Sequence, residues 1–598
     1  MEIKTFDKRL KLDNGDYDRL VHARKPKGIE DKRAYIIGSG LAGLSAAGFL
    51  IKDAQMDGKN IHFLEQCELP GGALDGEFMS NIGYVARGGR EMGHHFEVLW
   101  DLFSVIPSAE DPEMTILDNL YYTNLDDPNY SNCRITHKCG ERWDNAKFNL
   151  GQDLVKEIVM FLSMPDEALQ DLKIEDVLSP ELLKTDFWTF WRSMFAFENW
   201  HSALEMKLYM NRFIHHVEGL PNLSALQFTR HDQFISIVEP MIKWLKEKGV
   251  QFDYNTAVKN VEFEILTDKK VAKKIVAEDN KGNDKSIELT ENDLVFITNG
   301  SIIESSGYGD DDTPAPFIRE PGSSWELWNN IASQCEEFGN PEVFSTDFEK
   351  TNWESCTVTC HDRKIAPYIE KITKRSPYTG KTVTGGIVTA RDSSWLMSWT
   401  INRQGQYPTQ PKDDVVVWVY GLFTDKDGDY IKKKMRDCTG KEITKEWLYH
   451  IGVPIEKIDE IAQTCTAVPV MMPFITSHFM PRKFGDRPYV VPKDGVNFAF
   501  IGQFAETLDN PGRDTIFTTE YSGRTAMEAV YVLTGVEKAV PEVFASRYDI
   551  RYLLSGLVGL LDGEKPEIKL PWIVRHKVKA MLAGTEIEQI LKEYNVIE

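Results

Sequence analysis

Residues Tyr35 to Gly43 read YIIGSGLAG, and a second apolar stretch, IHFLE, closes on Glu65, 22 residues beyond Gly43. This spacing constrains the fold more than any other feature of the chain. A β-branched and aromatic run, a glycine turn and an Ala/Leu/Gly-rich helix open a strand–turn–helix–strand unit. Gly38 permits the tight turn, Gly40 lets the backbone approach a pyrophosphate, and Gly43 lets the helix pack closely on the strand. The helix N-terminus offers free N–H groups and a positive dipole end to the phosphates. Glu65, at the tip of the second strand, is placed to accept hydrogen bonds from ribose hydroxyls. Dinucleotide binding is expected, the alternative being a glycine-rich turn that binds nothing. The motif leaves open which chemistry the dinucleotide serves.

A chain of 598 residues has length for roughly four domain-sized units. Its formal net charge of −23 argues against a nucleic-acid partner, which needs a basic footprint. The N-terminal MEIKTFDKRL lacks an apolar core, so no secretory leader is expected. The apolar run LSGLVGLL, Leu554 to Leu561, is far too short to span a bilayer. Eight cysteines without a regular framework suit reduced thiols and a cytoplasmic protein. Neither Cys133 with Cys139 nor Cys356 with Cys360 has paired zinc-ligand spacing, and no metal is expected.

Along the chain, residues 1–31 form a polar arm. Gly71 and Gly72, in LPGGAL, make a second turn suited to close backbone approach. From Leu154 to His216 the pattern is helical, and Trp188, Trp191 and Phe195 fall on one face, a stripe that suits a core. Apolar strands ending in glycine return at Leu294–Gly300 and at Phe498–Glu506, which contains Gly502. Residues 32–150, 221–300 and 491–548 are expected to build a discontinuous cofactor domain. Residues 151–220 then form a helical substrate part, 301–490 a substrate-binding domain and 549–598 a C-terminal helical segment. The fold class is therefore α/β: a Rossmann-like domain interrupted by an inserted α+β substrate domain. Long interruptions fit large flavoproteins better than compact nicotinamide enzymes, so FAD is expected rather than NAD. The adjacent Asp310, Asp311 and Asp312 read as a solvated loop.

The segment YVARGGREMGHHF places Arg87 and Arg90, with Glu91, around the flexible pair Gly88 and Gly89. Glycines beside arginines suit a loop that reshapes around a planar anionic cofactor. A carboxylate beside arginines keeps its charge and can orient water or act as a base. A surface turn with an incidental ion pair is the alternative. The pairs His94–His95 and His215–His216 each point about 100° apart on a helix, which favours capping or core hydrogen bonds over ligation. Residues 570–584 contain no acid but carry Arg575, Lys577 and Lys579 beside an apolar face entered at Trp572. That composition fits contact with an anionic bilayer, or equally docking on the protein itself or on a second subunit.

GSGLAG, Glu65 with Gly71–Gly72, RGGREM, LYMNRFIHH and SWTINRQ together resemble the bacterial fatty-acid hydratases. This is the oleate hydratase family, once labelled myosin-cross-reactive antigens. The resemblance covers nearly the whole chain and rests most on RGGREM. It implies FAD-dependent addition of water to a cis double bond of a free unsaturated fatty acid by a homodimer. It further implies that Glu91 handles the water and Tyr209 serves in protonating the alkene. Gln233, Thr400 and Asn402 match positions that hold the substrate carboxylate. The family pattern has a histidine where this chain has Gln406, a hydrogen-bond donor that carries no charge. Two rivals remain: a flavin oxidoreductase of the amine-oxidase or desaturase type, and a non-catalytic binding protein.

Overall fold

The protein is described by a computed structural model covering residues 9, 18, 21–74, 76–79, 83–88, 91–143, 147–508, 514–567 and 572–597. Its organising element is a five-stranded parallel sheet in the order Phe498–Ile501, Asp293–Thr298, Arg33–Ile37, Ile61–Leu64, Gln251–Asp253. The four strands other than the edge strand Gln251–Asp253 are largely buried on both faces, so they read as near-continuous apolar runs rather than alternating ones. Helix Leu41–Lys52 follows the first strand directly and packs against helix Thr519–Thr534. Gly43 lets this helix lie close on the turn and strand before it, because a Cβ there would stand 2.2 Å from the Gly38 carbonyl oxygen and 3.1 Å from Ile36 Cγ2. All three expected nucleotide-type strands meet in this one sheet, although 199 residues lie between Thr298 and Phe498 in sequence. The class is α/β and Rossmann-like.

A second, mostly antiparallel sheet of eight strands is built around Trp353–Cys360, Val415–Gly421 and Cys465–Met472. Ile135–His137 joins it by pairing in parallel with Val388–Ala390, so part of the segment before residue 150 belongs to this sheet. Conversely, helix Ser323–Ala332 packs on the long strand Thr256–Leu266 beside the parallel sheet. Such short strands are fixed by the partner across the sheet, which a local pattern does not reveal.

A separate aromatic core gathers helices Asp186–Phe195 and Ala203–Arg212. Trp188, Trp191 and Phe195 are buried in it as the stripe implies. The aspartate run is a loop: Asp310 Oδ1 accepts from the amides of Asp312 and Thr313, and Asp311 accepts from Ala467. Among the described residues no helix is long and apolar enough to cross a membrane.

Candidate functional site

At the C-terminal ends of the parallel strands, the two glycine turns meet backbone to backbone. Gly38 adopts φ +88°, and Gly40 pairs with Gly71, whose amide donates to the Ser39 carbonyl at 3.1 Å. A Cβ on Gly72 would stand 3.2 Å from Gly40 Cα. The turns floor an open cleft of about 610 Å³ lined by Gly38, Gly40, Glu65, Gly71, Gly72, Arg87 and Gly502. That volume suits a large cofactor. Gly43 stands behind the cleft as a packing residue. Glu65 accepts at 2.7 Å from both the amide and the hydroxyl of Ser39, and at 2.8 Å from the Cys67 amide. These bonds hold its carboxylate at the fingerprint turn. Arg87 is buried and donates through Nη2 to the Gly72 carbonyl at 3.0 Å. Gly88 is half-buried, whereas Gly89 and Arg90 lie outside the described residues.

Beside the cleft lies an apolar cavity of about 70 Å³, walled by Trp191, Phe195, Phe213, Leu220 and Phe517, with Glu91 among its few polar groups. It is about half of the ~150 Å³ that admits a benzene-sized guest. The aromatic stripe of helix Asp186–Phe195 is therefore core on one side and cavity wall on the other. Phe517, Thr518 and Thr519 line both the cavity and the cleft. They form the entry to helix Thr519–Thr534, where Thr518 accepts from the Tyr521 amide at 3.2 Å. Sequence reasoning missed this N-terminus as a shared wall. The signal was there in Thr518–Thr519–Glu520, a capping pattern whose free amides favour negative charge. Glu91 thus stands on the cavity and Arg87, four residues earlier, on the cleft.

Tyr209 is fully buried on helix Ala203–Arg212 and is not part of the cavity wall. Phe195 packs edge-on against it at 5.5 Å and Phe517 at 6.2 Å, so the phenol stands one ring behind that wall. Burial pushes its pKa well above 10, and the Glu205 charge adds to this. Arg487 and the Phe517 amide act the other way, although among the described residues no group comes within hydrogen-bonding geometry of the hydroxyl.

The four residues expected to hold a carboxylate line neither the cleft nor the cavity. Two of them are brought close: the Asp232 amide, next to Gln233, donates to the Gln406 carbonyl at 2.8 Å. Gln233 immediately precedes a π-helical turn, Phe234–Val238, a form common at functional sites. Thr400 ends strand Ser398–Thr400 with its hydroxyl 3.0 Å from that of Thr384, and Asn402 is half-buried just beyond.

The histidine pairs are distant in sequence but converge. Ring centres of His94 and His216 lie 5.8 Å apart and those of His95 and His215 5.7 Å apart. His216 touches the cavity. Burial, aided by neighbouring histidines and Arg212, drives His215 down to about 2 and His216 to about 3, so both are neutral. Asp429, Glu446 and His450 have spacing that could hold a metal ion, against expectation. However, Glu446 already accepts from the amides of Asp429 and Ile431 at 2.6 and 2.8 Å. Burial lowers the His450 pKa, but the two carboxylates outweigh it and hold the ring at about 9. The ring stands 3.3 Å from Asp429 and 3.2 Å from Glu446, so a protonated imidazole pairs with both carboxylates.

Residues 31–531 match the model of the MCRA family, so the chain belongs to that family, the one its motifs resemble. It is 46% identical over 591 residues to an oleate hydratase of Streptococcus pyogenes serotype M49, covering 98% of this chain and 99% of the relative. It is 29% identical over 537 residues to a linoleate hydratase of Lactiplantibacillus plantarum, covering 84% and 94%. A solved cyclohexylamine oxidase from Brevibacterium oxydans aligns over 84% of this chain and 99% of its own, with 11% identity and a TM-score of 0.46.

Proposed function

We propose that this chain hydrates a cis double bond of a free long-chain unsaturated fatty acid with FAD bound in the glycine-floored cleft. The observation that carries the reading is the position of Glu91, on an apolar cavity that shares the Phe517–Thr519 wall with that cleft. The family membership and the hydratase relatives support it. The cleft residues fit a flavin dinucleotide. Gly38, Gly40, Gly71, Gly72 and Gly502 leave backbone open to a pyrophosphate, Glu65 offers a carboxylate to a ribose, and Arg87 brings positive charge. When bound, FAD supplies a planar charged surface, and hydration passes no electrons to it. Arg87 and Arg90, on either side of Gly88–Gly89, order the loop that delivers Glu91.

Hydration needs a proton on one carbon and a water oxygen on the other. In this reading the alkene π pair takes a proton from Tyr209 to form the new C–H bond. A water oxygen bonds to the adjacent carbon, and Glu91 accepts the proton that water sheds. Returning that proton to Tyr209 closes the cycle with one water consumed. The apolar walls hold the chain and exclude other water. Gln233, Thr400, Asn402 and the neutral Gln406 hold the substrate carboxylate. Because the cavity is small and Phe517 screens Tyr209, substrate entry moves this wall. Helix Trp572–Leu582 leaves residues 576–580 exposed and Met581 78% exposed, which supports peripheral contact with an anionic bilayer. A homodimer is proposed from the family resemblance.

Incubation with oleate or linoleate and FAD under nitrogen tests the reading by product mass. A gain of one water without NADH consumption is expected. A loss of two hydrogens would instead identify an oxidoreductase, and unchanged substrate a binding protein.

A further inference from the structure

Tyr209 is a weak acid in a setting that makes it weaker, yet the proposed reaction asks it to release a proton. Its neighbours contain an answer. Glu205 and Tyr209 are four residues apart on helix Ala203–Arg212 and so share a face. Two guanidiniums converge on Glu205: Arg482 Nε at 2.7 Å and Arg487 Nη2 at 3.0 Å, both on Oε1. Arg487 also donates through Nη2 to the His478 carbonyl at 2.8 Å. The next residue, Phe479, packs against the Tyr209 ring at 5.5 Å. Arg487 is thereby tied both to the helix face of Tyr209 and to the ring that seats it.

What distinguishes Arg487 is the state of its remaining donors. The side chain is fully buried, and among the described residues its Nε and Nη1 have no hydrogen-bond partner; neither does the Tyr209 hydroxyl. A buried donor without an acceptor costs about 1–3 kcal/mol, more when charged, so most folds avoid one. Orphaned donors on a buried cation cost less once negative charge appears beside them, which is the arrangement of an electrostatically preorganised site. The negative charge available here is the phenolate left when Tyr209 gives up its proton.

We propose that Arg487 is a positioning residue for the reaction, whose buried guanidinium stabilises the Tyr209 phenolate formed as the proton passes to the alkene carbon. The inference rests on the hydratase reading and on Tyr209 as its acid. The O–H bond of Tyr209 breaks, its electron pair stays on oxygen within the field of Arg487, and the proton forms the C–H bond. The Arg487 field, which already opposes the burial effect on the phenol, supports this role.

The test combines Arg487→Gln and Arg487→Lys with 3-fluorotyrosine at position 209, a more acidic phenol. Arg487→Gln is expected to lower kcat by roughly 100-fold with little change in KM. Arg487→Lys, which keeps the charge without the planar donor edge, is expected to fall between it and the wild type. Tyr209→3-fluorotyrosine should restore part of the lost kcat in the Arg487→Gln background and change the wild type much less. A purely structural role for Arg487 predicts equal effects of fluorination in both. If Arg487→Gln does not fold, the same comparison is made in Arg487→Lys. Wild-type turnover in both Arg487 variants, or fluorination effects equal in both backgrounds, overturns the inference. Tyr209→Phe separates the two levels: full activity in it defeats the acid assignment, whereas its inactivity beside unaffected Arg487 variants defeats only the role of Arg487.

Discussion

The glycine-floored cleft and the Glu91–Tyr209 region lie side by side but are specified differently. The cleft is large and floored by two glycine turns whose backbones meet. Its neighbour is small, apolar and made of side chains delivered by separate segments: Glu91 from a loop, Tyr209 from one helix, Trp191 from another, Phe517 from a helix entry. The difference teaches where each depends on sequence. A backbone cradle is specified by residues that lack a Cβ, within a few positions of one another. A side-chain site is specified by packing between segments hundreds of residues apart.

The largest expected effect strikes the apolar region alone. Glu91→Gln should reduce hydration by roughly 1,000-fold, equivalent to about 4 kcal/mol, while cofactor absorbance is retained. Equal loss of cofactor would show that the two regions are not separable.

Within the cleft, the fold and ligand roles of glycine should divide. Gly43→Ala forces a Cβ to within 2.2 Å of the Gly38 carbonyl oxygen and should destabilise the protein by about 3 kcal/mol in thermal melts. Gly40→Ala meets no protein atom closer than 3.8 Å and adopts an ordinary φ of −71°. It should melt within ~0.5 kcal/mol of the wild type but bind cofactor at least ~10-fold more weakly. Similar melting of the two variants would erase the distinction.

The smallest effect tests how far the apolar region excludes solvent from the histidines beside it. His215 and His216, at about 2 and about 3, stay neutral in the folded protein, whereas unfolded histidine titrates near 6.5. Their folded values are depressed, so the unfolded state binds more protons between about pH 3 and 6.5. Stability should therefore fall as pH drops through that window. The double variant His215→Gln, His216→Gln should lose about 1 kcal/mol of this dependence between pH 7 and 6, measured by urea unfolding. An unchanged slope would mean that solvent reaches both rings.

Much of the fold was legible because its decisive signals are local. YIIGSGLAG announces a strand, a turn and a helix within nine residues, and IHFLE supplies the partner strand. Leu294–Gly300 and Phe498–Glu506 were readable as buried strands, since both faces of a parallel sheet are covered. Ile135–His137 was not: three residues carry too little pattern to name a partner 250 residues away. RGGREM was legible as an unusual loop and as a family mark. That Arg87 faces the cleft and Glu91 the cavity was not. Nor did the two histidine pairs reveal that they would meet, because each gives only its own local geometry.

By itself, the sequence determined the glycine cradle, the acid at the second strand tip and the family, since these rest on residue identity at short spacing. Only the tertiary structure decided that Phe517–Thr519 would join cleft to cavity, and that Tyr209 would sit behind its wall over a buried Glu205–Arg482–Arg487 cluster. The physical reason is range. Backbone conformation is set by neighbours along the chain, whereas burial, desolvation and the pairing of charges are set by whatever the fold brings alongside.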